Sequence, residues 1–228
     1  MTFKTVQDII FKGDLIMKEN KVKKIVILII CAVVAGTLAF CGVYFFGSGN
    51  DMEKAQKAAE NYVYANTLAD YENLDKTGVY NIKNMSVYLV KSGAYSSESE
   101  FVKNFASQFE QSFEKRADLY SYIKKITDSA LKSDYGDNYK VTAEAVKTVD
   151  YSSSTLKTLK KEINSYYSER DSKIMKSCFL NPDKIKSAKT VTVSYSIKGS
   201  KKEETNKIDL IVIKYRNSFK VYNSDWLG

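Results

Sequence analysis

The chain of 228 residues predicts an α+β fold carried behind a single membrane-spanning helix. Three observations predict it. An uncharged run of 22 residues occupies 25–46. Helical periodicity fills most of 52–131. Apolar/polar alternation over 191–197 and a nearly all-apolar stretch at 208–213 then mark a C-terminal run of strands. Hydrophobic residues make up 44% and charged residues 27%, which excludes a wholly disordered chain and a polytopic transporter. There is no His, so Ser-His-Asp and Cys-His catalysis and the commonest metal ligand are excluded together.

The run Ile25–Phe46 reads IVILIICAVVAGTLAFCGVYFF. As a helix it measures about 33 Å, the thickness of a bilayer core. It has no polar face, unlike a buried helix of a soluble domain. A cleaved signal peptide fits less well, because 24 residues precede the run and no Ala-x-Ala site follows it. Leu38-Ala39-Phe40-Cys41 approaches a lipobox, but Phe40 is too large for the position before the Cys. Cys31 and Cys41 are read as small apolar residues of the span. Lys18, Lys21, Lys23 and Lys24 crowd its N-terminal side, whereas the other side shows no cation before Lys54. The N-terminus is therefore expected in the cytoplasm and residues 47–228 outside the cell membrane. Residues 1–24 form a cytoplasmic tail in which six Lys face Asp8, Asp14 and Glu19, a net +3 of the chain's +8. Phe3, Val6, Ile9 and Ile10 lie at helical spacing in it; the tail is read either as lying along the inner leaflet or as unstructured.

Residues 47–50 read as a flexible linker and 51–228 as the extracytoplasmic domain. Asn50 or Asp51 caps a helix from about Met52 to Asp70, with Met52, Ala55, Ala59, Tyr62 and Ala69 on one face. A short helix is expected near 81–91. No Gly or Pro interrupts 98–131, and Phe101, Phe105, Phe109 and Phe113 recur every four residues ahead of Ala117, Tyr120, Ile123 and Ile126. That pattern predicts one long helix with an aromatic stripe, read first as core packing and second as the wall of a ligand cage. Tyr135–Asn138 is a turn, and Tyr139, Val141, Ala143 and Ala145 alternate as a strand. Ser153 or Ser154 caps a helix that buries Leu156, Leu159, Ile163, Tyr166, Tyr167 and Ile174 and stops before Asn181-Pro182. Val191, Val193, Tyr195 and Ile197 form a strand, 199–202 a turn, and 208–213 a strand nearly all apolar and so covered on both faces. Phe219–Tyr222 completes a meander, with Trp226 assigned to the core. The element order suggests helices packed on one face of a curved antiparallel sheet.

The helix AAENYVYANTLADYENL (58–74) and the ending KIDLIVIKYRNSFKVYNSDW (207–226) resemble the opening helix and final hairpin of the nuclear-transport-factor-2-like (cystatin-like) fold. The middle, 75–135, is longer and more helical than in compact members of that family. The layout of short tail, single span and outer domain is similar to that of assembly factors of type IV secretion and conjugation machines, and of bitopic bacterial proteins. The resemblance implies an interaction or assembly module at the envelope, or alternatively a small-ligand or isomerase-like domain with a cavity between helices and sheet.

The residues name no catalytic, cofactor or metal site. Asp70-Tyr71 and Asp118-Tyr120 are the available acid/base neighbours, and both read better as solvated helix faces. Cys178, the one Cys beyond the span, has only Lys173 and Lys176 nearby and reads as a buried apolar residue. Asn84-Met85-Ser86 fits a glycosylation sequon. Arg116, Arg170 and Arg216 are the only arginines, and the lysines are mixed with acids, so nucleic acid is not an expected partner. Lys157, Lys160 and Lys161 lie opposite Leu159 and Ile163, as on a solvated helix face. The expected partners are the membrane and envelope proteins, with self-association left open; no enzyme activity and no cofactor are expected.

Overall fold

The computed structural model describes residues 49–168 and 171–222. The tail, the 25–46 run, the lipobox-like Cys41 and Trp226 lie outside the described residues. Among the described residues no helix is long and apolar enough to cross a membrane.

Five helices come first: α1 (Gly49–Thr67), α2 (Tyr71–Thr77), α3 (Ile82–Lys91), α4 (Glu98–Ser107) and α5 (Arg116–Tyr135). Strand β1 (Lys140–Asp150), helices α6 (Ser153–Ser168) and α7 (Ser172–Cys178), and strands β2 (Ile185–Lys198), β3 (Glu203–Tyr215) and β4 (Ser218–Tyr222) follow. The sheet is an antiparallel meander in the order β1-β2-β3-β4, so β1 joins the three expected strands as a fourth. The class is α+β. Helix α1 starts at Gly49, inside the segment expected as linker.

One face of the sheet carries Val191, Val193, Tyr195, Leu210, Val212 and Val221. Helix α1 packs there through Ala55, Ala59, Tyr62 and Val63. Ala55 and Ala59 have no exposed surface, and their small side chains let the helix approach the strands closely. The sequence suggested helices on one face only. The opposite face is covered too, at one end, where Leu159, Ile163 and Tyr167 of α6 bury Ala188, Ile213 and Tyr222. The cause is visible in β3: Leu210 and Val212 point to α1, while Ile211 and Ile213 point the other way and need their own cover. The expectation of a strand covered on both faces is met for 210–213. Further along, the second face is polar, with Thr142 bonded to Ser196 at 2.8 Å and Thr192 to Asp209 at 2.5 Å.

The single helix expected over 98–131 is two, α4 and α5, reversing at 108–115. Glu110 sits in the left-handed region at φ 57°. A straight helix would leave the Phe stripe facing water. Folding back places Phe101, Val102, Ala106 and Phe109 against Leu119, Tyr120 and Ile123 and buries both faces. Arg116–Glu98 and Lys103–Glu114 (2.8 Å) brace the reversal. Phe105 and Phe113 are only partly buried. The helix expected after 153 is likewise divided into α6 and α7. Its cap is Ser152, whose hydroxyl accepts the Thr155 N–H at 3.1 Å, one residue before the position expected.

Each sheet edge carries one further backbone contact. Val79 N–H donates to the Val221 carbonyl at 2.9 Å along β4. On β1 a bulge at Val146 breaks the register, and Glu60 accepts the Ala145 N–H at 3.1 Å, which blunts the edge against strand addition. At the far end Gly199 meets the Tyr135 carbonyl so closely that a Cβ would lie 1.9 Å from its oxygen, so only glycine fits there.

The start of α1 is tied to the sheet by charge. Asp51 pairs with Lys214, and beside it Lys189, its side chain 4% exposed, pairs with Asp150. Two predictions follow for the fragment 47–228 in urea unfolding. Ala59→Leu overfills the α1–sheet contact and is expected to cost about 1–3 kcal/mol, whereas Asn61→Leu on the exposed face changes stability by less than about 0.5 kcal/mol. Asp150→Ala strands a buried ammonium, because Asp51 is already engaged by Lys214, and should cost roughly 3 kcal/mol; Lys189→Met frees only a carboxylate that water can reach and should stay within about 1 kcal/mol. Equal costs for the two would refute the asymmetry.

Candidate functional site

The most chemically loaded constellation lies where α2, α3 and α5 meet. Asp75 on α2 accepts the Tyr120 hydroxyl at 2.9 Å and the Lys83 backbone N–H at 3.3 Å, and Arg116 Nε stands 3.8 Å away. Tyr71 stacks on Tyr120 with ring centroids 5.4 Å apart, and the Arg116 guanidinium lies 5.8 Å over the Tyr120 ring. Burial raises the Asp75 carboxyl above its ordinary value, against the lowering effect of Tyr120, Lys83 and Arg116. Burial, with Asp75 beside it, also raises Tyr120. Asp70 caps α2 through the Asn73 N–H and holds Lys124 at 3.1 Å; burial pushes its carboxyl up, but these partners outweigh it and hold it below the usual range.

The pairs taken from chain proximity are thus regrouped. Tyr71 and Tyr120 come together, Asp70 serves as a cap, and the carboxylate that meets Tyr120 is Asp75, forty-five residues away in sequence. Asp118 takes no part in this cluster. No local signal marks Asp75; only the α4–α5 reversal brings Tyr120 to it.

An open groove of about 560 Å³ adjoins the cluster. It is lined by four carboxylates (Glu72, Asp75, Glu98, Glu114) and four cations (Lys76, Lys83, Lys115, Arg116). Such a lining neutralises itself and selects neither sign of ligand. Asp75 has its hydrogen bonds supplied by the protein, so the arrangement holds three helices together as a buried polar junction.

A second polar-aromatic cluster is the Tyr80 hydroxyl on that of Tyr167 at 3.0 Å, with the Tyr80 ring against Phe179 and Tyr222. It lies within the core beneath α6. The Phe stripe belongs to the α4–α5 cluster, which contains no strand residue, so it does not face the sheet. Cys178 is buried at the end of α7, as expected. The sequon is closed to modification: Asn84 donates its amide to the Val79 carbonyl at 2.8 Å and Ser86 has no exposed surface. Among the described residues no group of His, Cys, Asp or Glu is arranged to hold a metal ion. No protein-family model, curated protein or solved structure matches the chain.

The raised Asp75 carboxyl carries a testable sign. The folded chain holds this proton more tightly than the unfolded chain, so the group favours folding below the ordinary value of 3.8 and this contribution is lost as pH rises through the raised one. In urea unfolding, Asp75→Asn is therefore expected to compare better with the natural chain at pH 7 than at pH 3. A difference independent of pH would show that the carboxyl is not raised.

Proposed function

We propose that residues 51–228 are a non-catalytic interaction and assembly module, held at the outer face of the cell membrane by the 25–46 run, with the N-terminus in the cytoplasm. One observation carries this reading. The apolar run ends at Phe46 and α1 begins at Gly49, leaving a reach of only about 10 Å between them. Helix α1 is no loose stalk: it packs along the sheet, and Asp51 in its first turn is held by Lys214. A domain tethered this closely meets membrane partners at high effective concentration.

The chemistry of the grooves supports a binding role over catalysis. The Asp75 groove is internally neutralised, and the one carboxyl raised by burial is engaged in joining helices. The competing reading places a small ligand or an isomerase-like site between helices and sheet. That space is occupied by Ala55, Ala59, Tyr62 and Val63 of α1 against Val191, Val193 and Leu210. A narrower form of our proposal, a scaffold of a secretion or conjugation apparatus, rests on the shared layout of tail, span and outer domain.

Topology is tested by an epitope placed after Gly228 and protease applied to spheroplasts. Loss of the epitope, with the protein resistant to carbonate extraction of membranes, is the expected result; an epitope that survives on intact spheroplasts and is lost on lysis would place the domain inside. Crosslinking in native membranes is expected to recover protein partners. A small molecule co-purifying with the domain, and no crosslinked protein, would favour the ligand reading.

A further inference from the structure

A second groove differs in its charge from the Asp75 groove. It encloses about 470 Å³ between α7, the Phe179–Lys184 connection and the β3–β4 turn. Its charged lining is Lys173, Lys176, Lys184 and Arg216, with no carboxylate among the lining residues. None of these four cations makes an ion pair among the described residues. The nearest acids in sequence are otherwise placed: Asp171 caps α7 through the Ile174 N–H at 3.1 Å, and Asp183 does not line the groove. Four like charges around one concavity repel each other, so folding does not account for their being there.

The frame that presents them is ordered. Tyr215 accepts the Asn181 N–H on its hydroxyl at 3.2 Å, tying the connection to the end of β3. Arg216 occupies the left-handed region at φ 57° in the two-residue turn, with its guanidinium 5.5 Å over the Tyr215 ring. Lys186 reaches Asn217 at 3.3 Å and adds a fifth cation beside the turn.

Position then indicates the ligand. Arg216 is two residues beyond Lys214, roughly 7 Å along the strand, and Lys214 holds Asp51 in the first turn of α1. The groove therefore lies at the end of the sheet where the chain arrives from the uncharged run. The 199–202 turn, at the other end of β3, is roughly 40 Å away.

We propose that this groove receives the phosphate groups of anionic lipid headgroups in the outer leaflet and so docks the domain on the bilayer. Lys supplies adaptable point charges and Arg a planar fork, a combination suited to phosphodiesters presented at a surface. The proposal deepens the anchoring reading of the preceding subsection and rests on it for the choice of a lipid over a soluble anion.

The test uses the full chain reconstituted in nanodiscs of phosphatidylcholine alone or with phosphatidylglycerol at 7:3. Lysine acetylation is read residue by residue by mass spectrometry. Lys173, Lys176 and Lys184 are expected to be protected several-fold in the 7:3 discs and not in the neutral ones, with protection lost in 0.5 M salt and Lys140 and Lys207 unaffected. Lys173→Gln/Lys184→Gln, at two exposed positions, should weaken the association with anionic lipid roughly 25-fold and deprotect Lys176, taking about fivefold per cation. Lys140→Gln/Lys207→Gln, with the same charge change, should leave Lys176 protected. Equal labelling in both discs, or equal effects of the two double variants, overturns the proposal. Protection in neutral discs by inorganic phosphate alone would assign a soluble anion instead. A chain that does not enter the discs refutes the anchoring reading by itself. The lipid-free chain then decides the groove by flotation with 7:3 vesicles: salt-sensitive flotation lost in Lys173→Gln/Lys184→Gln sustains it, and no flotation overturns it.

Discussion

The approach of α1 to the sheet is the constraint on which the rest depends. Ala55 and Ala59 carry no bulk beyond Cβ, so the helix settles onto Val191, Val193, Leu210 and Val212 with its axis close to the strands. It contacts all four strands as well as α2. This one helix fills the apolar face of the sheet across all four strands.

The α4–α5 hairpin is a satellite of that core. Its aromatic cluster contains no strand residue and takes in Ala69 together with Ile82 and Leu89 of α3. It is joined to the body at α2 through the Tyr71–Tyr120 stack and the Asp75–Tyr120 hydrogen bond. A buried carboxylate at such a junction makes the attachment directional, since a slipped hairpin would leave Asp75 without its donor. The same group costs desolvation in the folded state, which is why its raised carboxyl is better read as structural specificity than as stored reactivity.

Much of the fold was legible in the sequence because local pattern decided it. The α1 face, the alternation of β2, the apolar stretch of β3 and the turns at Gly136 and Arg216 are all set by neighbours within a few residues. The break between α4 and α5 was not legible. Residues 108–115 contain neither Gly nor Pro, and the reversal is driven by two apolar faces finding each other, a tertiary gain that outweighs helix propensity. The second helical layer escaped for the same reason, since nothing local says which element will cover Ile211 and Ile213. The proposed membrane attachment is read from the hydropathy of the 25–46 run and the charges flanking it.

The charged surface shows most clearly what topology adds to composition. Along the chain, Lys173, Lys176, Lys184 and Arg216 are ordinary members of a dispersed set, interleaved with acids like the other lysines. Folding separates them from those acids: Asp171 turns to cap a helix, Asp51 and Asp150 are taken by Lys214 and Lys189 on the α1 side, and these four cations share one concavity. The ion pairs and the unpaired groove thus sit at the same end of the sheet, next to the start of α1. On the proposed reading they act together. The Asp51–Lys214 pair joins α1 to the strand that carries Arg216, so the helix continuing from the span and the groove facing the leaflet are parts of one rigid end. Two contacts with a bilayer, one through the inserted apolar run and one ionic, define an orientation where a tether alone defines only proximity. The polar part of the second face and the 199–202 turn would then point away from the membrane, where protein partners can reach them.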